Sequence, residues 1–301
     1  MMRLWSIKRV LLAALMLALV QSAGAAKPAA AETLTIGLIP ELNVFKQMER
    51  FRPLGAYLSR ETGVEIRFTI LSRYGNLVES FQRDGMDGAF FGSFTGALAI
   101  EQLGVVPLAR PVNLDGESTY HGVIYARKDS GIRDFADMRD KKFAFVEKAT
   151  TAGYVYPLAY LRENGVESLD NHFAEYFFAG SHDATIYAVL DGKADLGASK
   201  NSVFDWVRAA DPRVDAEIEV LALSGNVPSN GLCVRPDLDP EVRERLKQVL
   251  LRLHESAEGR KVLEQFNALR FIETDVADYA PVYTWAERAG IDIKHYDYEN
   301  R

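Results

Sequence analysis

The sequence has a single cysteine, Cys233, so no disulfide can form within the chain, and its apolar surroundings mark it as a packing residue. Five histidines are scattered along the chain, and with one thiol they give no spacing of the structural-zinc type. Enzyme signatures are missing as well. There is no G-x-S-x-G elbow, no G-x-x-x-x-G-K-[ST] phosphate loop, no H-E-x-x-H pair and no G-x-G-x-x-G turn. Carboxylates are many but show no motif-level pairing for acid–base work. Positive charge is not in excess: the formal net charge is −7, a poor balance for general binding to nucleic acid or an anionic membrane surface. No solenoid-type repeat recurs. No apolar run reaches the ~20 residues that a membrane-spanning helix needs.

What is present begins with a leader. Met1–Arg9 carries Arg3, Lys8 and Arg9 without an acid, Val10–Val20 is an unbroken apolar run, and Ala23-Gly24-Ala25 is a small-residue exit. This order is that of a secretory signal. The expectation is a signal peptide over residues 1–25, removed on export to the periplasm, with Ala29-Ala30-Ala31 as a second possible exit. No cysteine lies nearby to take a lipid anchor.

Beyond the leader, short apolar runs alternate with amphipathic helical stretches, as in residues 34–39, 46–60, 64–70, 74–83, 88–91 and 93–102. The pattern restarts at residue 120. Such alternation implies parallel pairing and α/β layers. The expected architecture is two α/β lobes, each a mostly parallel sheet flanked by helices, joined by two hinge crossings. Lobe 1 takes residues 26–125 and 222–301, and lobe 2 takes residues 126–221. In such sheets ligands bind beyond the carboxyl ends of strands, near helix N-termini.

Four strand-to-helix turns carry hydroxyl, amide or imidazole groups. The first is Phe145–Pro157, where Thr150 and Thr151 stand at the helix start and Gly153 permits close backbone approach. Unpaired N–H groups and hydroxyls there suit a tetrahedral oxyanion. Ordinary Thr N-capping produces the same pattern and, taken alone, is the more economical reading. The second is Gly180-Ser181-His182-Asp183, where His182 is either a donor, best when protonated, or a capping or packing group. The third is Phe90–Thr95, with Ser93 at the helix start, and Tyr74 opens the helix before it. The fourth starts at Asn201 and Ser202.

These residues resemble the periplasmic phosphate/phosphite/phosphonate-binding (PhnD-like) family of ABC-transporter solute-binding proteins. The likeness runs over residues 33–270. It includes Phe51-Arg52-Pro53-Leu54, the stretch DGAFFG at Asp87–Gly92, TTAGY at Thr150–Tyr154, GSHDA at Gly180–Ala184 and DGKAD at Asp191–Asp195. The resemblance implies the two-lobed type II periplasmic binding protein fold and a non-enzymatic, monomeric receptor without cofactor or metal, which closes on a small phosphorus oxyanion and delivers it to an ABC permease. A sensor subunit docking on a membrane receptor kinase is the alternative partner. Carried over by motif, Thr150, Thr151, the Gly153 backbone and His182 become oxyanion donors, with Tyr74 and Asn201 in the cleft. Two departures alter the seat: Ala149-Thr150-Thr151-Ala152-Gly153 stands where the family commonly has S-T-S-G, so that either Thr151 replaces a neighbouring donor or one hydroxyl is missing, and Gly92-Ser93-Phe94-Thr95 stands where it often has F-G-P and a tyrosine, a donor that either Ser93 or Thr95 would replace. A ligand ammonium would need a carboxylate, for which Glu41, Asp183 and Asp205 are candidates.

Overall fold

The computed structural model describes residues 32–41, 44–71, 73–74 and 76–298. The leader expected at residues 1–25, with its cleavage site, lies outside the described residues.

The chain starts with β1 (Thr33–Leu38), α1 (Val44–Thr62), β2 (Glu65–Ile70), α2 (Asn76–Arg83), β3 (Gly88–Phe91), α3 (Ser93–Leu103) and β4 (Val106–Asn113). It crosses through β5 (Thr119–Tyr120) into β6 (Gly122–Arg127), β7 (Lys142–Phe145), α4 (Tyr156–Glu163), β8 (Glu175–Phe178), α5 (His182–Leu190), β9 (Leu196–Lys200), α6 (Asn201–Ala210), α7 (Arg213–Glu217) and β10 (Ile218–Leu223). It returns through β11 (Val227–Pro228) to β12 (Gly231–Val234), α8 (Pro240–Arg252), α9 (Ala257–Phe266), β13 (Ala268–Glu273) and α10 (Ala280–Arg288).

Two sheets result. One has the order β13-β4-β12-β3-β1-β2, the other β10-β6-β9-β7-β8, and the short β5 and β11 pair with each other at the crossings. The expectation of mostly parallel sheets needs correction, because both sheets are mixed. β1 is parallel to β2 and β3, and β7 to β8 and β9, but β12 runs against β3 and β4, and β6 against β9 and β10. The reason is topological. β6 and β12 each follow a crossing, so they enter their sheet from the edge where the parallel strands end. β13, which runs against β4, is not among the strands expected from the sequence.

Leu34, Ile36 and Leu38 of β1 pack with Phe51, Leu54 and Leu58 of α1, Leu246 and Leu250 of α8, and Phe266 of α9. This core anchors the first sheet. The C-terminal helix, expected in lobe 1, belongs to a core that spans both lobes: Tyr279, Val282 and Trp285 join Phe94 and Leu98 of α3 to Tyr156 and Leu161 of α4. Trp285 meets Tyr156 edge-on at 5.2 Å, and the Arg288 guanidinium pairs with Glu163.

Candidate ligand-binding site

The carboxyl ends of β1, β3, β7 and β9 converge on a small, narrow space between the lobes. Its wall includes Glu41, Tyr74, Ser93, Tyr120, Thr150, Thr151, His182, Lys200 and Asn230. Most reach the wall because a parallel strand ends there and the chain turns towards a helix, whereas Tyr120 and Asn230 come from the crossings at β5 and β11.

The turn after β7 differs from the expected α-helix start. Thr151–Val155 forms one turn of π-helix before α4, closed by Val155 N–H to Thr150 O at 3.0 Å. π turns inside helices are rare and concentrate at functional sites. Thr150 makes no side-chain cap, so ordinary N-capping does not explain it; its hydroxyl donates back to Glu147 O at 2.6 Å. Gly153 does not line the space. A Cβ on it would stand 2.3 Å from Val146 Cγ2, so this glycine lets the π turn lie flat on the end of β7.

The hydroxyls of Tyr120, Ser93 and Thr151 form a relay across the cleft, with Ser93 Oγ 2.5 Å from Tyr120 Oη and 2.6 Å from Thr151 Oγ1. Each hydroxyl both donates and accepts, so these protons can turn toward a bound acceptor without moving charge. Burial pushes the Tyr120 phenol up to about 12, which keeps its proton in place. Tyr74 is 3% exposed, and among the described residues its hydroxyl has no partner. Burial, helped by the nearby carboxylates of Glu41 and Glu147, raises this phenol well above its ordinary value, so it too remains a donor. The Tyr74 backbone N–H donates to Glu147 Oε2 at 3.1 Å, another bond between the lobes.

His182 opens α5 behind Ser181, whose side chain caps the helix by accepting from Ala184 N–H. Its Nδ1 accepts the Lys200 backbone N–H at 3.2 Å, which leaves the proton on Nε2. Burial pushes the imidazole down to about 4, with Lys200 adding to the effect and Glu41 opposing it. The ring is therefore a neutral donor near pH 7, rather than the imidazolium considered from sequence. It meets the Tyr74 ring edge-on at 6.0 Å.

Charge enters through residues that sequence reasoning had not placed together. Lys200 Nζ donates to Glu41 Oε1 at 2.7 Å, and Arg50 holds Glu41 Oε2 at 3.2 Å. Burial alone would raise the Glu41 carboxyl, but Lys200 and Arg50 overcome this and hold it at about 2. Lys200 ends β9 one residue before the expected Asn201, and a charged residue closing the apolar run LGASK was its only signal. Asn201 itself does not line the space. Its side-chain oxygen accepts His121 N–H at 3.1 Å and ties α6 to the first crossing. Thr150, Thr151, His182, Tyr74 and Ser93 are thus brought together, while Gly153 and Asn201 support the wall from behind. Among the described residues no group of three or more His, Cys, Asp or Glu is placed to hold a metal ion.

A profile of the family described as "ABC transporter, phosphonate, periplasmic substrate-binding protein" matches residues 36–279. The chain is 26% identical over 257 residues to the "Probable ABC transporter phosphite binding protein PhnD1" of Prochlorococcus marinus (strain MIT 9301), covering 82% of this chain and 86% of that protein. It is 29% identical over 229 residues to the "Phosphate-import protein PhnD" of Mycolicibacterium smegmatis, covering 72% and 70%. The solved structure of PhnD1 from Prochlorococcus marinus in complex with methylphosphonate superposes with a TM-score of 0.76 at 23% identity, over 86% of this chain and 98% of that one. Together with the two-lobed fold and its interlobe cleft, the match over most of the sequence has one consequence: the chain belongs to the family of periplasmic phosphonate substrate-binding proteins of ABC transporters.

Proposed function

We propose that this protein captures a small phosphorus oxyanion between its lobes and presents it to an ABC permease in the inner membrane. The observation that carries the reading is the Tyr74 hydroxyl, a buried donor without a partner among the described residues, on the wall of the same space as the Ser93, Tyr120 and Thr151 hydroxyls and the neutral His182 ring. A buried unpaired hydroxyl costs stability, so its retention suits a group whose partner is the ligand. Relatives described as phosphite- and phosphate-binding, and a related structure holding methylphosphonate, support the same ligand chemistry.

Binding rather than turnover is the role we assign. The Ser93 hydroxyl bonds to Tyr120 and Thr151, not to an imidazole base, and burial pushes the Cys233 thiol up to about 12. Capture works by hinge closure. Ser93–Thr151, Tyr74–Glu147 and Glu41–Lys200 all join opposite lobes, so they form on closing and break on opening. Both lobes belong to one chain, and we assign the role to the monomer. The leader sends it to the periplasm and is removed there.

The test is a thermal-shift panel of phosphate, phosphite and methylphosphonate. A ligand at 100 times its Kd stabilises the bound state by about 2.7 kcal/mol. A saturable rise in Tm with at least one of them is expected. No rise with any at millimolar concentration would remove the ligand assignment.

A further inference from the structure

The cleft contains a cation of its own. Lys200, 7% exposed, places Nζ 2.7 Å from Glu41 Oε1, 3.4 Å from Asn230 Oδ1 and 4.4 Å from the centre of the Tyr120 ring. Arg50 occupies the other Glu41 oxygen. Glu41, Lys200 and Asn230 also wall a second small space, so the Lys200–Glu41 pair stands between the two.

A ligand with an ammonium tail needs a carboxylate to meet it, and the candidates are engaged. Both oxygens of Glu41 are held by the protein's own cations. Asp183 accepts from the Ser181 hydroxyl and the Ala184 N–H, Glu147 from the Tyr74 N–H. Asp205 is exposed on α6, paired with Arg208.

Resting on the function proposed above, we infer that Lys200 is a specificity-determining residue. It excludes phosphorus oxyanions that carry an ammonium group and restricts the site to those with a small uncharged substituent or none. An incoming ammonium must either displace Lys200, leaving a buried charge unpaired, or lie beside it as a like charge. A phosphoryl or phosphonyl group meets the opposite condition and gains from the nearby cation.

Isothermal titration of methylphosphonate and 2-aminoethylphosphonate into the whole protein tests this. The wild type should bind the aminoethyl compound at least about a hundredfold more weakly, the size expected for a like charge in a desolvated site. Lys200→Met frees Glu41 Oε1 while Arg50 keeps Oε2, and affinity for 2-aminoethylphosphonate should rise at least about tenfold, a change in one hydrogen-bonded charge pair. Adding Glu41→Gln to that variant should cancel the gain. Lys200→Arg retains the cation and should still reject the aminoethyl compound, which keeps the test decisive if the Met variant does not fold. Equal affinity of the wild type for both compounds, or rejection that persists unchanged in a folded Lys200→Met protein, overturns the inference and leaves the oxyanion function standing. A wild type that binds no phosphorus oxyanion overturns both.

Discussion

At the scale of single residues, Tyr74 offers the sharpest separation of binding from stability. Its hydroxyl is buried and has no partner among the described residues, so Tyr74→Phe removes a desolvated group that none of them rewards. We predict a Tm unchanged or higher, with stability up to about 1 kcal/mol greater, and methylphosphonate affinity about tenfold or more lower, as the loss of a charged hydrogen bond gives. Thermal melts and calorimetry on the same variant check both halves. Thr151→Val is nearly isosteric and should also weaken binding about tenfold or more, because the removed hydroxyl belongs to the donor relay. His182 sets a pH dependence. Its folded value is about 4 against an ordinary 6.5, so between these the unfolded chain takes up a proton that the folded site refuses. The stability it contributes is complete above pH 6.5 and is lost as pH falls through 4, by roughly 3 kcal/mol. Glu41, held at about 2 against 4.5, acts in the same direction lower down, its contribution present above 4.5 and lost through 2. Tm measured from pH 7 to 4 should fall in the wild type and fall less in His182→Gln.

At the scale of elements, the π turn at Thr151–Val155 is the part most sensitive to shape. Gly153 touches Val146 so closely that an added methyl has no space, with 2.4 Å to Val146 Cβ and 2.8 Å to Thr150 Oγ1. Gly153→Ala should destabilise by about 1–3 kcal/mol, the range for overpacking, and should also weaken binding by shifting Thr150 and Thr151. Adding Val146→Ala should restore part of both; denaturant melts and calorimetry of the single and double variants measure it. Sequence patterning located this strand-to-helix turn but not its geometry. The residue types of TTAGYV fit an α-helix start equally well, and the π form follows from how the turn lies against Val146. β13 escaped for a related reason: ALRFIE is buried only at Ala268 and Phe271, and a partner strand, β4, makes it a strand.

At the scale of the whole molecule, closure brings distant tryptophan chemistry together. Lys46 at the start of α1 lies 4.1 Å over the Trp206 ring of α6, so the two lobes touch at a cation–π contact outside the enclosed space. Separating the lobes removes this contact and hydrates the ring. Methylphosphonate titration should therefore change tryptophan emission in a saturable way. Trp206→Phe should abolish that change while calorimetry still detects binding. The α10 helix limits how far the lobes can move, since Tyr279, Val282 and Trp285 belong to a core shared with both α3 and α4. Hinge motion must pivot on that shared core as well as on the β5–β11 crossing.

The sequence alone determined the alternation of strands and helices, the two-lobed α/β class and the positions of the strand-to-helix turns, because apolar periodicity and turn chemistry are local properties. It also offered Thr150, Thr151, His182, Tyr74 and Ser93 through residue types that suit an anion at a helix start. Only the tertiary structure decided that Gly153 serves packing, that Asn201 faces the crossing, and that Lys200 and Arg50 occupy Glu41. Those outcomes depend on groups 159 positions apart meeting at a buried site, as Glu41 and Lys200 do. Burial and the resulting rise in electrostatic strength exist only once both lobes are folded and closed on each other.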